Sequence, residues 1–404
     1  MSEYKKSRFN YYFEFENDNY VFNCLTGSLG QLDGQDIEIA KESQKDLLQN
    51  GFIVPTNKDE IQSMLDDVDY YTNTIRKELD ITIVLTEMCN FRCVYCYQTK
   101  NVHVFSKEDA DEFIDQAEEL YNSGIERLNI HYFGGEPLLN YEILEYLDLN
   151  LKVLTCNLNK IYKSYITTNG SLLTLDIIKK IGFDTFYLTY DGNSYWQNQL
   201  KISPINSYEN NFRLMNVILD NSASKINVRF NVCKENKDSF VEVLKRIVGL
   251  TNYSKDRVNF EISPLKKFKQ NAKFTELSLE EYSRVNLKLR LAIQKTGVKL
   301  YLPRAIQEPC KYTTQNAYCI GPGMKGFFCT SDNRITNKKL NLKDSYFNKS
   351  YHHKLSDQCL KCGVLPLCIH TCGLLKTGDS ACVVEKIILK DILCEYLKNP
   401  DEWR

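Results

Sequence analysis

From Glu78 onward the chain alternates short apolar runs with longer segments in which apolar residues recur every three to four positions. The runs are "ITIVLT" (81–86), "RLNIHYF" (127–133), "SYITT" (164–168), "TFYLTY" (185–190), "INVRFNV" (226–232) and "NFEISPL" (259–265). Each is strand-like, and the segments between them are long enough for a helix and a return. In "SKEDADEFIDQAEELYNSG", Ser106 stands three residues before Asp109, which predicts a capping box. Phe113, Ala117, Leu120 and Tyr121 then fall on one helical face, and Gly124 supplies the stop. Six such βα units predict a parallel sheet buried by helices, curled into a partial barrel with its functional end at the C-terminal ends of the strands.

The flanks read differently. Residues 1–77 contain "NYYFEFE" and "NYVFNC" joined by "NDN", a hairpin pattern, with two short helices predicted to follow. The fold class is therefore α/β: a partial (β/α)6 TIM-like barrel over residues 78–300, a small α+β module over 1–77, and a cysteine-rich domain over 301–404.

Composition narrows the chemistry. Lys plus Arg number 51 against 52 Asp plus Glu, so the net charge of −1 gives no broad electrostatic footprint for nucleic acid or an anionic membrane. No apolar segment has the length of a signal peptide core or a membrane span, which predicts a cytoplasmic protein. Fifteen cysteines in that compartment point to metal rather than to disulfides.

The stretch "TEMCNFRCVYCYQ" (86–98) directly follows the first predicted strand and carries Cys89, Cys93 and Cys96. A structural zinc site or a closed cubane cluster takes four protein ligands. A triplet therefore borrows a distant fourth or leaves one metal position open. "GGEP" (134–137) follows the second strand at the same end of the barrel. Gly134 and Gly135 admit close backbone approach, and Pro137 suits a helix start. A zinc knuckle or three core cysteines is the alternative reading of the triplet.

The CxxxCxxC spacing with Tyr95 before the last cysteine, on the first βα loop, resembles the radical S-adenosylmethionine superfamily. The resemblance implies that Cys89, Cys93 and Cys96 hold a 4Fe-4S cluster whose unique iron binds S-adenosylmethionine. One electron from that cluster would then yield a 5′-deoxyadenosyl radical. It further implies cofactor contacts from Tyr95, Gly134, Gly135 and Glu136, from Thr168 and Asn169 of "TTNG", and from Thr189 of "TYDG". Arg229 on the fifth strand is either a further cofactor contact or a surface residue. In "DGNSYWQNQLK", Lys201 stands roughly where relatives carry a carboxylate-anchoring arginine, and a lysine lacks the planar two-pronged fit.

Near the C-terminus, "CLKCGVLPLCIHTC" supplies Cys359, Cys362, Cys368 and Cys372, and Cys382 follows. With Cys310, Cys319 and Cys329 upstream, eight thiols suffice for two more cubanes or for a pair of zinc sites. The tail resembles the SPASM extension of radical S-adenosylmethionine enzymes. That resemblance implies an outer auxiliary cluster on Cys359, Cys362, Cys368 and Cys382, and an inner one on Cys310, Cys319, Cys329 and Cys372. Three 4Fe-4S clusters are expected in all. The remaining Cys24, Cys156, Cys233 and Cys394 read as small buried hydrophobes.

The family resemblance leads to a maturase that modifies a ribosomally made precursor peptide, installing an intramolecular crosslink such as a thioether. Its partners would be that peptide and a reductant such as flavodoxin or ferredoxin. The alternatives are a sulfatase maturase that oxidises Ser or Cys to formylglycine, and an iron–sulfur electron carrier or sensor. Residues 1–77 resemble a leader-recognising module, with a structural cap as the other reading. Sulfatase maturases commonly place an aspartate directly after the third upstream cysteine, whereas here Thr330 follows Cys329 and Asp332 comes later.

Overall fold

The structure is a computed structural model and describes residues 3–74, 76–98, 101–267, 272–305, 314–327, 329–330, 335–348, 355–368 and 383–403. The N-terminal region contains β1 (Tyr4–Lys6), β2 (Asn10–Phe15), β3 (Asp18–Asn23), β4 (Leu29–Leu32), α1 (Gln44–Gln49), β5 (Ile53–Pro55) and α2 (Glu60–Asn73). β2, β3 and β4 form an antiparallel sheet in that order, and β1 pairs with β5. The hairpin turn falls one residue earlier than "NDN" (17–19) predicts, on Glu16 and Asn17, so that Asp18 and Asn19 already belong to β3. Glu16 and Asn17 have positive φ (50° and 71°), the geometry of a tight two-residue turn, and Phe15 then pairs with Asp18.

The barrel region comprises β6 (Glu78–Thr86), β7 (Arg92–Cys93), α3 (Lys107–Asn122), β8 (Arg127–Gly134), α4 (Tyr141–Leu158), β9 (Ile161–Thr167), α5 (Leu175–Ile181), β10 (Thr185–Tyr190), α6 (Ser194–Leu200), β11 (Lys201–Ile202), α7 (Ser207–Asn221), β12 (Lys225–Val232), α8 (Phe240–Val248), β13 (Val258–Pro264) and α9 (Leu279–Gln294). The six predicted strands, β6, β8, β9, β10, β12 and β13, are neighbours in that order and parallel throughout. This is the sheet of a partial TIM barrel. Each strand sends alternate residues into one core: Ile226, Val228, Phe230 and Val232 on β12 join Phe113, Ala117, Leu120 and Tyr121 on α3. The capping box at Ser106 and Asp109 forms, and Gly124 (φ 108°) follows the helix.

The tail contributes β14 (Ala317–Gly321), β15 (Lys325–Phe327), β16 (Ile335–Lys339), α10 (Leu342–Asn348), α11 (Asp357–Leu360) and α12 (Glu385–Lys398). β14 adds to the barrel sheet in parallel beside β6, and β15 and β16 continue it antiparallel. A second core joins the two ends of the chain. Phe9, Phe13, Phe22, Cys24 and Met64 pack with Val364, Leu365, Leu367, Leu389 and Leu393. Among the described residues no helix is long and apolar enough to cross a membrane.

Candidate active site

The cysteine loop leaves the C-terminal end of β6 and is fastened at several points. Met88 N donates to Thr86 Oγ1 (3.1 Å), Glu87 N to His103 O (3.1 Å), and buried Phe91 anchors the middle. β7 then pairs antiparallel with β11, with Cys93 opposite Lys201 and Arg92 opposite Ile202, and Val94 N donates to Leu200 O (2.9 Å). Cys89, Cys93 and Cys96 thus sit half-buried on one short fixed loop. Burial pushes the Cys93 thiol up to about 12, Lys201 opposes that rise, and Asp191, Cys96 and Cys89 add to it. Cys93 therefore lies within electrostatic reach of both Cys89 and Cys96. Ligation must displace their protons.

The second loop meets the first backbone to backbone. A Cβ on Gly134 would lie 2.3 Å from Thr86 O, and one on Gly135 2.1 Å from Met88 O. Only glycine allows this approach, and it closes with Gly135 N donating to Thr86 O (2.8 Å) and Glu136 N to Met88 O (2.9 Å). The Glu136 carboxylate is fully buried. It accepts from Thr168 Oγ1 (2.7 Å) and Leu138 N (3.1 Å) on one oxygen and from Asn169 N (2.7 Å) on the other. Burial pushes its pKa up to about 7 against those three donors and the charge of Lys201. Asn169 also reaches back to Asn90 Oδ1 (2.8 Å), which binds the ends of β6, β8 and β9 into one unit.

A third set of residues closes the site from β10 and β12. Tyr95 OH donates to Asp191 Oδ2 (2.6 Å), and Asn231 Nδ2 donates to the other carboxylate oxygen (3.0 Å). Asn236 Nδ2 donates to the Asp191 carbonyl (2.9 Å). Thr189 contributes its main-chain carbonyl, which accepts from Lys201 Nζ (3.0 Å), Asn211 Nδ2 (3.0 Å) and Gln197 Nε2 (3.4 Å). Of the residues in "TYDG", it is Asp191 rather than Thr189 whose side chain binds the cysteine loop. Arg229 points away from the helix-covered core. It donates to Ser263 Oγ (2.7 Å) and stands 3.6 Å from Glu261, with both charged side chains a little under half exposed (46% and 43%). At β12 and β13 the helix-free face of the sheet therefore carries solvent-exposed charge.

In the tail, Cys319 is buried on β14 and Cys329 is buried just after β15. Cys359 lies on α11, Cys362 follows it, and Cys368 comes after the turn Leu365–Leu367. Cys310, Cys372 and Cys382 lie outside the described residues. Of the four cysteines expected to be buried, Cys24 and Cys233 are, Cys394 is half-buried, and Cys156 is exposed on the outer face of α4, opposite the buried Leu151 and Thr155.

The residues fit a cluster carrying a ligand. Three thiols on one pinned loop leave one cubane iron without a protein thiolate, and the glycine-only contact sets a second loop against the first. Among the described residues no three His, Cys, Asp or Glu donors converge as a single metal ion requires. Cubane thiols bind different irons and stand farther apart.

Comparison with known proteins agrees. Residues 83–247 match the model of the Radical SAM superfamily. The match lies within the barrel, and radical SAM domains are of the kind that binds S-adenosylmethionine and a 4Fe-4S cluster. The chain is 27% identical over 206 residues to the radical SAM cyclopropyl synthase TigE of Paramaledivibacter caminithermalis, covering 43% of each protein. It is 32% identical over 117 residues to molybdenum cofactor biosynthesis protein 1 of Dictyostelium discoideum, covering 28% of this chain and 17% of that one. The matched region is less than half the length of either relative. Two solved structures share the fold at 15% identity. Streptococcus suis SuiB bound to precursor peptide SuiA has a TM-score of 0.54 and covers 95% of this chain and 99% of its own. The anSMEcpe structure with bound AdoMet and Cp18Cys peptide has a TM-score of 0.61 and covers 80% and 98%.

Proposed function

We propose that this enzyme is a maturase that modifies a ribosomally made precursor peptide, closing an intramolecular crosslink such as a thioether from a cysteine. The observation that carries the reading is the pinned three-thiol loop at the C-terminal end of a barrel sheet whose helix-free face leaves Arg229 and Glu261 nearly half exposed at β12 and β13. Such a face admits a segment of polypeptide. Two proteins of similar fold were solved with peptides bound, SuiA on SuiB and Cp18Cys on anSMEcpe, which supports a peptide substrate.

When bound, the cluster and S-adenosylmethionine supply a 5′-deoxyadenosyl radical able to take hydrogen from an unactivated carbon. Cys89, Cys93 and Cys96 would hold that cluster, and Tyr95, Gly134, Gly135, Glu136, Thr168, Asn169, Thr189 and Arg229 would line the cofactor. The tail would carry two further clusters, the outer on Cys359, Cys362, Cys368 and Cys382, the inner on Cys310, Cys319, Cys329 and Cys372. Residues 1–77 would read the leader by strand addition along β4, which pairs only with β3 among the described strands. A reductant such as flavodoxin or ferredoxin would serve the barrel.

Co-expression with a cysteine-containing precursor, followed by mass spectrometry, tests the reading. The expected product is lighter by two hydrogen atoms and its cysteine resists thiol alkylation. An aldehyde trapped by hydrazine on a sulfatase-derived peptide, with cysteine precursors untouched, would put formylglycine formation in its place.

A further inference from the structure

Lys201 is a buried lysine, 6% exposed, on a two-residue strand whose partner is the middle of the cysteine loop. Its backbone lies opposite that of Cys93. Its ammonium donates to the Thr189 carbonyl, and among the described residues no carboxylate lies within ion-pair distance of Nζ. An ammonium carries three N–H donors, so this contact leaves two to be satisfied. A desolvated cation without an anion is costly, and the fold tolerates it where an anion will stand. Its register sets it beside the cysteine loop, and its charge acts on both the Cys93 thiol and the Glu136 carboxyl.

We infer that Lys201 is the counter-charge of the cluster held by Cys89, Cys93 and Cys96, and that it raises the reduction potential of that cluster. The inference rests on the cluster reading of the cysteine loop. Three thiolates around a cubane give an anionic assembly, and adding one electron makes it more negative. A buried positive charge favours the reduced form more than the oxidised one, and weak screening inside the protein keeps the effect large. Lys201 is thus a positioning and tuning residue. It touches the loop rather than any reacting atom.

The test is an EPR-monitored redox titration of the full chain reconstituted with iron and sulfide, without S-adenosylmethionine. The signal of the Cys89→Ala, Cys93→Ala, Cys96→Ala variant is subtracted to remove the tail. If that triple variant keeps the same iron and the same spectrum as wild type, the cluster reading itself fails, independently of Lys201. Given a distinct barrel signal, Lys201→Met should shift its midpoint to more negative potential and Lys201→Arg should restore it. Where Lys201→Met does not retain the barrel iron, Lys201→Gln keeps a donor for Thr189 O and is read in the same way. Iron lost from both neutral variants but kept by Lys201→Arg also supports the counter-charge. An unchanged midpoint in any iron-replete neutral variant overturns it, as does loss of barrel iron from Lys201→Arg as well.

Discussion

Glu136 couples the second loop to the third strand, and its protonation sets a pH signature. Its folded pKa of about 7 stands above the ordinary 4.5, so the folded state holds the proton more tightly than the unfolded chain. Its contribution to stability is complete below about pH 4.5 and falls as pH rises toward 7, by about 3 kcal/mol across that window. In chemical denaturation of cofactor-free protein, Glu136→Gln should abolish this component of the pH slope while losing at least one of the three bonds the carboxylate accepts. Parallel slopes for the two proteins would contradict it. Gly135→Ala should cost on the order of 3 kcal/mol, because its Cβ would overlap Met88 O at 2.1 Å, and calorimetry reads the loss directly. Changing Cys89, Cys93 and Cys96 to Ala should remove about a third of roughly 12 irons while the tail keeps the rest. The triplet and the glycine pair were legible because their chemistry is carried by residue type and spacing. Asp191 was not, since nothing local distinguishes it from any turn aspartate until folding brings Tyr95 to it.

The strands were legible because burial alternates along them, as in Arg127–Gly134, where every second residue is buried. The hairpin turn sits one residue earlier than composition suggests because backbone sign selects it: only Asn17 of "NDN" takes part, and Glu16 joins it in the left-handed pair. The pairing of β7 with β11 was invisible for another reason. Two-residue strands carry no periodicity, and theirs forms between segments far apart in the chain. β14 was likewise hidden, as "AYCIG" is short and lies in a region read through its cysteines. This strand is the joint between barrel and tail, with Ile320 fully buried against the barrel core. Ile320→Ala should therefore destabilise by about 2–5 kcal/mol. Hydrogen exchange should show the loss in Ala317–Gly321 and the paired residues of β6, and a loss confined to distant helices would contradict the joint.

At the scale of the whole molecule, the N-terminal region packs on the tail rather than standing apart, with Phe9, Phe13 and Phe22 against Val364, Leu365 and Leu367. Arg8 Nη2 adds a bond to Leu360 O (2.5 Å), beside Cys359 and Cys362. A module that reads a leader there would also shield the cysteine-bearing turn of the tail. Deleting residues 1–75 should weaken precursor binding and lower tail iron while leaving uncoupled cleavage of S-adenosylmethionine in place, as checked by calorimetric titration, iron assay and 5′-deoxyadenosine yield. Unaltered precursor affinity would make the segment a cap alone. Sequence patterning could not reveal this contact, because it joins the two ends of the chain through side chains that read locally as ordinary hairpin and turn residues. If the three-thiol loop directs hydrogen abstraction from a peptide, a precursor deuterated at the acceptor carbon should place deuterium in the 5′-deoxyadenosine released with crosslinked product. Crosslinked product accompanied by unlabelled 5′-deoxyadenosine would contradict it.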